Sequence, residues 1–230
     1  MIEENKVEQI KGVTYSLPAL LGKKHNNQSA TTPEITSDAQ FAQINSIDYS
    51  LDRILGQTRQ GQHVYQHSPS HPLHFCVIYL APGDYHRFHS PANWQILAQR
   101  HFAGELYSVS PWMVQSLRNL FVLNERVTLL GHWKHGFFSM IPVGATNVGS
   151  IKINFDDTLV TNKYDSVTGK FGAFEEKKFD VQVKKGDELG GFQLGSTIVL
   201  VFEAPKDFEF KVEHGQKVQV GQPLGHSVSN

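Results

Sequence analysis

The sequence predicts a mostly-β fold with a few short helices, which places it in the α+β class. Short runs rich in β-branched and aromatic residues recur from about residue 73 onward, and turns that contain glycine or proline separate them. Hydrophobic residues make up 40% of the 230 positions and charged residues 19%, which is typical of a globular protein. This pattern favours short strands joined by tight turns.

The first part of the chain offers few residues for a core. Residues 7–21 alternate weakly and predict a strand followed by a short helical turn. Residues 23–62 are polar, and we interpret them as an inserted, partly disordered loop. The histidines in or beside this insertion are expected to be solvated loop residues: His25, His63, His67 and His71.

The other elements follow from the residue pattern in chain order. Strands are predicted at residues 75–80, 94–97, 104–109, 127–130, 133–145, 151–155, 179–183, 198–202, 208–212 and 218–220. Residues 111–120 carry apolar side chains on one helical face and predict a helix. Residues 156–178 are rich in glycine and charge and predict a loop.

Composition argues against several classes of function. The formal net charge is −1, so there is no electrostatic case for a nucleic-acid partner. No apolar run is long enough for a transmembrane helix, and the acidic, polar N-terminus does not resemble a signal peptide. The single cysteine, Cys76, rules out an internal disulfide framework and is expected to pack as a small core residue.

One glycine-flanked turn brings a serine to the start of a strongly β-prone run. The segment Gly190-Gly191-Phe192-Gln193-Leu194-Gly195-Ser196-Thr197 leads into the predicted strand 198–202. Taken alone, this pattern predicts the start of a strand with a polar rim.

Two histidines lie three residues apart, beside an aspartate and an arginine. His86 and His89 follow Asp84 and flank Arg87, and in a helical turn the two imidazoles would share a face. Histidine suits proton transfer near neutral pH, but the pattern alone favours a structural pair. A zinc hydrolase is an alternative, yet no further ligands follow at the usual spacing, and we expect no metal site.

A second alternative is a binding module without chemistry. The glycine turns at residues 184–190, 213–218 and 220–225 are typical of barrel-sandwich hybrid folds, so we expect a β core of that kind. Carrier domains of that architecture need a lysine at a hairpin tip, and no such motif occurs in this sequence.

Three segments together point to one family. They are residues 81–91 (APGDYHRFHSP), residues 133–138 with 143–151 (WKHGFF and VGATNVGSI), and residues 194–197 (LGST) before a hydrophobic strand. In this order they resemble the phosphatidylserine decarboxylase family, and most closely its mitochondrial form. The resemblance covers about residues 6–225 and implies a carboxy-lyase with one domain over residues 1–230, in which 23–62 is an atypical insertion.

In that family the proenzyme cuts itself at the glycine–serine bond, here Gly195–Ser196. The resemblance therefore implies a large chain, 1–195, and a small chain, 196–230, whose Ser196 becomes a covalent pyruvoyl cofactor. Through a Schiff base with the serine amine, this group would convert phosphatidylserine to phosphatidylethanolamine and CO₂. By position in the motif, His89 is expected to serve self-cleavage and His86 the decarboxylation step.

The expected partners also follow from the resemblance. They are the substrate phosphatidylserine, a membrane surface, the associated large and small chains, and a second copy of the chain in a homodimer. The expected location is the mitochondrial inner membrane. Core packing is the favoured interpretation for the aromatic residues that could otherwise reach lipid: Phe88, Trp94, Trp112, Phe137 and Phe138.

One family feature has no counterpart in the sequence. The family carries an aspartate in a Ser-Pro-x-Asp-Gly-like motif, which orients the histidine in an Asp-His-Ser triad, and Asp84 matches a different position. The motif belongs upstream of the matched part, so the sequence is expected to be truncated at its N-terminus. The alternative is a catalytically impaired fragment or paralogue of the same fold that lacks the triad aspartate.

Overall fold

The structure is a computed structural model built mainly of antiparallel strands. It describes residues 41–44, 47–50, 71–110, 113, 117, 120–146, 150–162, 174–193, 195–213 and 215–228. In chain order the strands are β1 (Phe41–Ile44), β2 (Ile47–Ser50), β3 (Leu73–Leu80), β4 (Arg87–His89), β5 (Trp94–Phe102), β6 (Arg126–Trp133), β7 (Gly136–Val143), β8 (Ile151–Ile153), β9 (Glu175–Val183), β10 (Glu188–Phe192), β11 (Ser196–Glu203), β12 (Phe208–Phe210) and β13 (Gly225–Ser227). A short helix, α1, spans Leu120–Leu123.

Six strands form the largest sheet, in the order β3-β11-β7-β6-β5-β9, and all neighbouring pairs are antiparallel. All eight residues of β11 are buried, so its β-branched and aromatic run has no solvent face and shows no polar alternation. This strand is longer than the predicted 198–202, because pairing with β3 continues over its polar ends, Ser196 and Glu203.

A second sheet, of order β4-β10-β8, includes His89 in β4, while His86 lies just before this strand. Its middle strand pairs Gly191 with Arg87 of β4 on one side and with Lys152 of β8 on the other. A Cβ at Gly190 would overlap the carbonyl oxygen of Lys152 and lie 2.7 Å from the ring of Phe88. Glycine at this position therefore permits the close packing of the three strands.

The predicted fold class, mostly β with a few short helices, is confirmed. Most of the predicted strands are present, and several are longer than predicted. The strand predicted at 104–109 is wrong, since Glu105 makes only an isolated bridge with Asn124. This segment runs along the junction of α1 and β6 instead, where a Cβ at Gly104 would lie 2.5 Å from the carbonyl oxygen of Leu123.

Three further sequence predictions need correction. The predicted loop 156–178 ends earlier, because β9 begins at Glu175 and pairs with β5. Residues 218–220 form no strand, since Gln219 and Gln222 close a turn there and Val220 is 65% exposed. Strand β13, which the sequence analysis missed, pairs with β12 instead. The predicted loop 23–62 contains the hairpin β1-β2.

Helix is scarce in the described part of the chain. The predicted helix 111–120 falls mostly outside the described residues, within which the Leu117 amide donates to the carbonyl oxygen of Met113 (2.9 Å). None of the described helices is long and apolar enough to cross a membrane. The following sequence predictions also lie outside the described residues: the strand at 7–21, most of the loop 23–62, and those for His25, His63, His67 and Trp112.

One buried cluster joins side chains of both sheets and confirms several packing predictions. Cys76 is buried opposite Leu200 of β11, and burial raises the pKa of its thiol to about 12. Four aromatic residues expected in the core are buried as well: Phe88, Trp94, Phe137 and Phe138. His71 differs from its prediction, because it is half-buried with Nδ1 2.8 Å from the carbonyl oxygen of His135.

Gly131 of β6 lies where a bulge in β5 brings the two strands close together, and a Cβ there would overlap the carbonyl oxygen of Gln95. We predict that Gly131→Ala lowers the free energy of unfolding by about 1–3 kcal/mol, because the strands must separate to admit the methyl group. Chemical denaturation measures this, with Gly83→Ala as the control, since a Cβ there meets nothing within 4 Å. Equal stability of the two variants would contradict the prediction.

Candidate active site

Ser196 is the first residue of the inner strand β11 and lies at the end of the large sheet where β3 and β7 terminate. Its main chain pairs with Leu80, the last residue of β3, while Thr197 pairs with Val143, the last residue of β7. The Ser196 hydroxyl donates to the carbonyl oxygen of Val143, and the residue is 0% exposed. The predicted nucleophile is therefore shielded from bulk water and oriented by a main-chain acceptor.

Gly195 packs against the turn that follows β3. A Cβ at this position would lie 3.2 Å from the carbonyl oxygen of Leu80 and 3.3 Å from both N and Cα of Pro82. These neighbours are main-chain atoms, which cannot swing aside as the end of a flexible side chain can. Glycine therefore lets the predicted cleavage segment lie directly on residues 80–82.

His86 is the histidine that contacts this segment. Its Nε2 lies 3.1 Å from the amide nitrogen of Gly195 and 3.0 Å from the carbonyl oxygen of Pro82. One ring nitrogen cannot accept the first proton and donate to the second partner at the same time. Nδ1 is buried and has no hydrogen-bond partner among the described residues. The ring thus lies between two competing partners and keeps one nitrogen for a ligand or a proton.

Main-chain contacts fix the position of His86. The amide of Phe192 donates to the carbonyl oxygen of His86 (2.8 Å), which ties this residue to the end of β10. Two contacts close the preceding turn: the Asp84 amide donates to the carbonyl oxygen of Ala81, and the Ala81 amide donates to the Asp84 carboxylate, each at 2.8 Å. The Asp84 carboxylate is therefore engaged in the turn that carries Pro82 towards His86.

His89 has a different set of partners. Its Nδ1 lies 2.9 Å from the carbonyl oxygen of Gly186, and its Nε2 lies 2.8 Å from the hydroxyl of Tyr85. Arg87–His89 is a strand and not a helical turn, so the two imidazoles do not share a helical face, and residues three apart in an extended chain lie on opposite faces. Among the described residues of the predicted cleavage segment, hydrogen-bond contact is made with His86 and not with His89.

The acceptor of the serine hydroxyl, the Val143 carbonyl, was not found by sequence reasoning. Buried Asn124 supports this part of the chain by donating to the carbonyl oxygen of Gly144 (2.8 Å), and the Gly144 amide donates to the carbonyl oxygen of Glu125 (2.7 Å). A main-chain acceptor has no signature in the side-chain pattern. Residues 143–151 belong to a matched motif, but the motif does not indicate that the carbonyl oxygen of Val143 accepts the serine hydroxyl.

An ion pair lies on the exposed rim of the site. Nη1 of Arg87 is 3.0 Å from Oε2 of Glu188, across β4 and β10. The hydrogen bond from Arg87 holds the pKa of Glu188 below its ordinary value, and Glu188 raises the pKa of Arg87. Solvent screens both groups, so the pair contributes little to stability.

The described side chains do not assemble a metal site. Among them, no group of three or more His, Cys, Asp or Glu residues could hold an ion. His86 and His89, which the zinc-hydrolase alternative requires as a shared ligand pair, have separate partners.

The chain is similar to one protein family over most of its length. A model of the phosphatidylserine decarboxylase family matches residues 30–226. Phosphatidylserine decarboxylase proenzyme 1, mitochondrial, of Schizosaccharomyces pombe is 46% identical over 99% of this chain and 62% of its own length. The mitochondrial proenzyme of Rattus norvegicus is 46% identical over 97% and 51%, and proenzyme 1 of Saccharomyces cerevisiae 42% identical over 97% and 54%.

These matches confirm the resemblance inferred from the three motifs. The chain spans about half to three fifths of the length of these curated relatives. The family match begins at residue 30, inside the segment 23–62 that the sequence analysis predicts as an insertion, and the insertion stays a prediction.

The turn that carries Pro82 depends on the carboxylate of Asp84. We predict that Asp84→Ala lowers the free energy of unfolding by about 0.5–1.5 kcal/mol, because the Ala81 amide loses its acceptor. Hydrogen exchange at the Ala81 amide, followed by NMR, should become faster. Asp157→Ala removes a carboxylate that is also exposed but lies outside this turn, and it should leave that amide unchanged. Equal exchange rates in the two variants would rule the contact out as a stabilising one.

Proposed function

This chain belongs to the phosphatidylserine decarboxylase family, and we propose that it cleaves itself at Gly195–Ser196 and then decarboxylates phosphatidylserine. The observation that supports this most directly is the contact between His86 and the Gly195 amide, beside the buried hydroxyl of Ser196. It brings together two of the three matched segments, 81–91 and 194–197. The chain spans only part of its relatives' length, and we propose both its activity and its substrate.

Self-cleavage begins with attack of the Ser196 oxygen on the carbonyl carbon of Gly195, which converts the amide to an ester as the hydroxyl proton passes to a base and the amide nitrogen gains a proton. Elimination then removes the Cα proton and breaks the Cβ–O bond, so Gly195 leaves as a carboxylate and residue 196 becomes dehydroalanine. Addition of water and loss of ammonia turn residue 196 into a pyruvoyl group.

In the uncleaved chain the Ser196 hydroxyl is hydrogen-bonded to a main-chain carbonyl and not to a side chain that could act as a base. The Val143 carbonyl accepts the hydroxyl hydrogen of Ser196 but cannot remove it, because an amide oxygen is too weakly basic at neutral pH. The matched motif assigns this task to His89. The Ser196 hydroxyl must then rotate away from the Val143 carbonyl before it attacks. The hydrogen bond to Val143 therefore belongs to the unreactive conformation of the uncleaved chain.

The surroundings of residue 196 fit a pyruvoyl group. The residue begins a fully buried strand, which keeps bulk water from that position in the uncleaved chain. A pyruvoyl group, when formed, supplies a ketone that binds a primary amine and draws electrons from the bond to be broken. Nε2 of His86 lies 3.1 Å from the amide nitrogen of the preceding residue, Gly195, so an imidazole is next to the position.

We assign His86 to proton transfer during decarboxylation. The substrate Cα needs a proton after CO₂ has left, and a histidine can supply it near neutral pH. The main chain of His86 is held by Phe192, and its Nε2 lies 3.1 Å from the amide nitrogen of Gly195, so the ring is next to the residue that would carry the pyruvoyl group.

The names of the relatives support a substrate and a location. They are named phosphatidylserine decarboxylases, mitochondrial, and proenzymes. We therefore propose phosphatidylserine as substrate, phosphatidylethanolamine and CO₂ as products, processing into two chains that stay associated, and work at a mitochondrial membrane surface. Location at the inner mitochondrial membrane and assembly into a homodimer remain predictions from the sequence.

We predict that the chain yields two polypeptides, 1–195 and 196–230, and that the small one begins with a blocked pyruvoyl residue. Ser196→Ala should yield a single full-length polypeptide near 25.9 kDa, because the nucleophile is gone. Intact-mass analysis distinguishes these results. Ser139→Ala is the matched control, since it removes a buried hydroxyl of the same sheet that donates to Leu129 and should still be cleaved. A single full-length species with Ser196 intact would refute self-cleavage.

Substitution of His86 and substitution of His89 should impair different reactions. We predict that His86→Ala leaves cleavage largely intact but slows decarboxylation about 10²–10⁴-fold, whereas His89→Ala blocks cleavage. A denaturing gel measures the small chain, and CO₂ release from phosphatidylserine measures turnover. His226→Ala, on an exposed position of β13, should change neither. The reverse pattern for His86 and His89 would overturn the assignment of roles.

A further inference from the structure

We propose that His74 makes the attachment of the C-terminal segment, residues 205–213 and 215–228, to β3 sensitive to acid. This histidine of β3 is only 6% exposed. Its ring stacks on that of Phe202 of β11, with centroids 5.5 Å apart and planes inclined by 20°. The rings of Phe208 and Phe210 of β12 contact it at centroid distances of 4.8 and 6.0 Å. Two of the three rings around the imidazole therefore belong to the C-terminal segment.

The surroundings of His74 do not suit a charge. Nε2 of the ring is buried and has no hydrogen-bond partner among the described residues. A charged imidazole donates from both nitrogens and phenylalanine offers no acceptor, so the charged form would leave a buried N–H unpaired. This burial lowers the pKa of His74 from its ordinary value to about 4. The enclosed ring is therefore neutral at mildly acidic pH, where an exposed histidine carries a charge.

The C-terminal segment forms a small unit with hydrogen bonds of its own. Strands β12 and β13 pair with each other in a separate two-stranded sheet. Within the segment, the Lys211 amide donates to the carbonyl oxygen of Leu224 and the Ser227 hydroxyl to the carboxylate of Asp207, each at 2.8 Å. The segment can separate from β3 without breaking the ladder between β3 and β11. We therefore expect it to open at a lower free energy than the whole fold unfolds.

Opening of the segment exposes His74 to water and restores its ordinary pKa of about 6.5. Between about pH 6.5 and pH 4 the exposed ring takes up a proton, whereas the enclosed ring does not. Because the open form binds more protons in this window, opening becomes more favourable as the pH falls through it. From pH 7.5 to pH 5.5 these two pKa values predict an increase of about tenfold in the open fraction.

Charged groups also lie beside the cluster on β11 and β12. Next to Phe202, the carboxylate of Glu203 accepts from the Phe137 amide (2.7 Å). On β12, Glu209 is paired with Lys211 at 2.9 Å on the exposed side of the strand. The other titratable groups on these strands and on the turn before β12 are Cys76, Tyr79, Lys206, Asp207 and His226.

One of these groups acts in the opposite direction. Asp207 attracts His135, which follows β6, so a charge on His135 holds the segment in place. Acid therefore strengthens this contact while it weakens the one at His74. Because substitution of His74 leaves both groups unchanged, comparison of the variant with the parent isolates the contribution of the buried ring.

Hydrogen exchange tests the proposal in chains that carry Ser196→Ala and so remain intact. The Lys211 amide reports opening of the segment, and the Gly144 amide, which donates to Glu125, reports unfolding of the large sheet. After correction for intrinsic exchange, protection at Lys211 should fall about tenfold from pH 7.5 to pH 5.5, and protection at Gly144 far less. In His74→Phe, which places a ring without ionisable atoms in the cluster, protection at Lys211 should fall less than about twofold.

His226→Phe is the matched control, since it removes an exposed histidine of the same segment and should keep the pH dependence of the parent. Equal pH dependence at Lys211 in the parent and in His74→Phe would overturn the proposal. An equal fall at Lys211 and Gly144 would do the same, because acid would then act on the whole fold.

NMR titration of the His74 ring is a second test, and it needs no substitution of the histidine. The ring should remain neutral at pH 5.5, and a midpoint near pH 6.5 would contradict an enclosed, uncharged imidazole. Every measurement uses the intact chain, so the outcome is independent of the proposed self-cleavage.

Discussion

The pairing of β11 with β3 on one edge and β7 on the other is the constraint on which the candidate site depends. A strand hydrogen-bonded on both edges cannot slip in register without breaking two ladders, so its first residue has a fixed position. That position sets Ser196 beside the Val143 carbonyl and Gly195 beside the turn that leaves β3. The geometry of the serine is thus set by main-chain hydrogen bonds far more than by its own side chain.

The smaller sheet completes the arrangement from the other side. Its middle strand, β10, leads directly into the cleavage segment and holds the main chain of His86 through Phe192. Glycines at 190 and 191 let this strand lie close to both neighbours. The segment that carries the histidines and the segment that carries the serine are therefore joined by two independent routes, the turn after β3 and the pairing of β10.

The central strand could be predicted from its residues because it is buried on both faces and its apolar run admits few alternatives. The contact between His86 and Gly195 could not, since 109 positions separate the two and only the strand pairing unites them. The strand at Arg87–His89 was not predicted, because two histidines three residues apart are compatible with a helical turn and with a strand in so short a segment. Residues 104–109 looked like a strand from composition, yet tertiary packing against Asn124 overrode that propensity.

Under the proposed cleavage, the cut falls immediately before the first residue of a central strand, and this changes the molecularity of folding. Residues 196–230 would supply an inner strand of the large sheet without a covalent link to the strands on either side. Unfolding would release two separate polypeptides, and refolding would require them to meet, so recovery would depend on concentration. Folding must then precede cleavage, and the mature protein would owe its persistence to slow unfolding rather than to ready refolding.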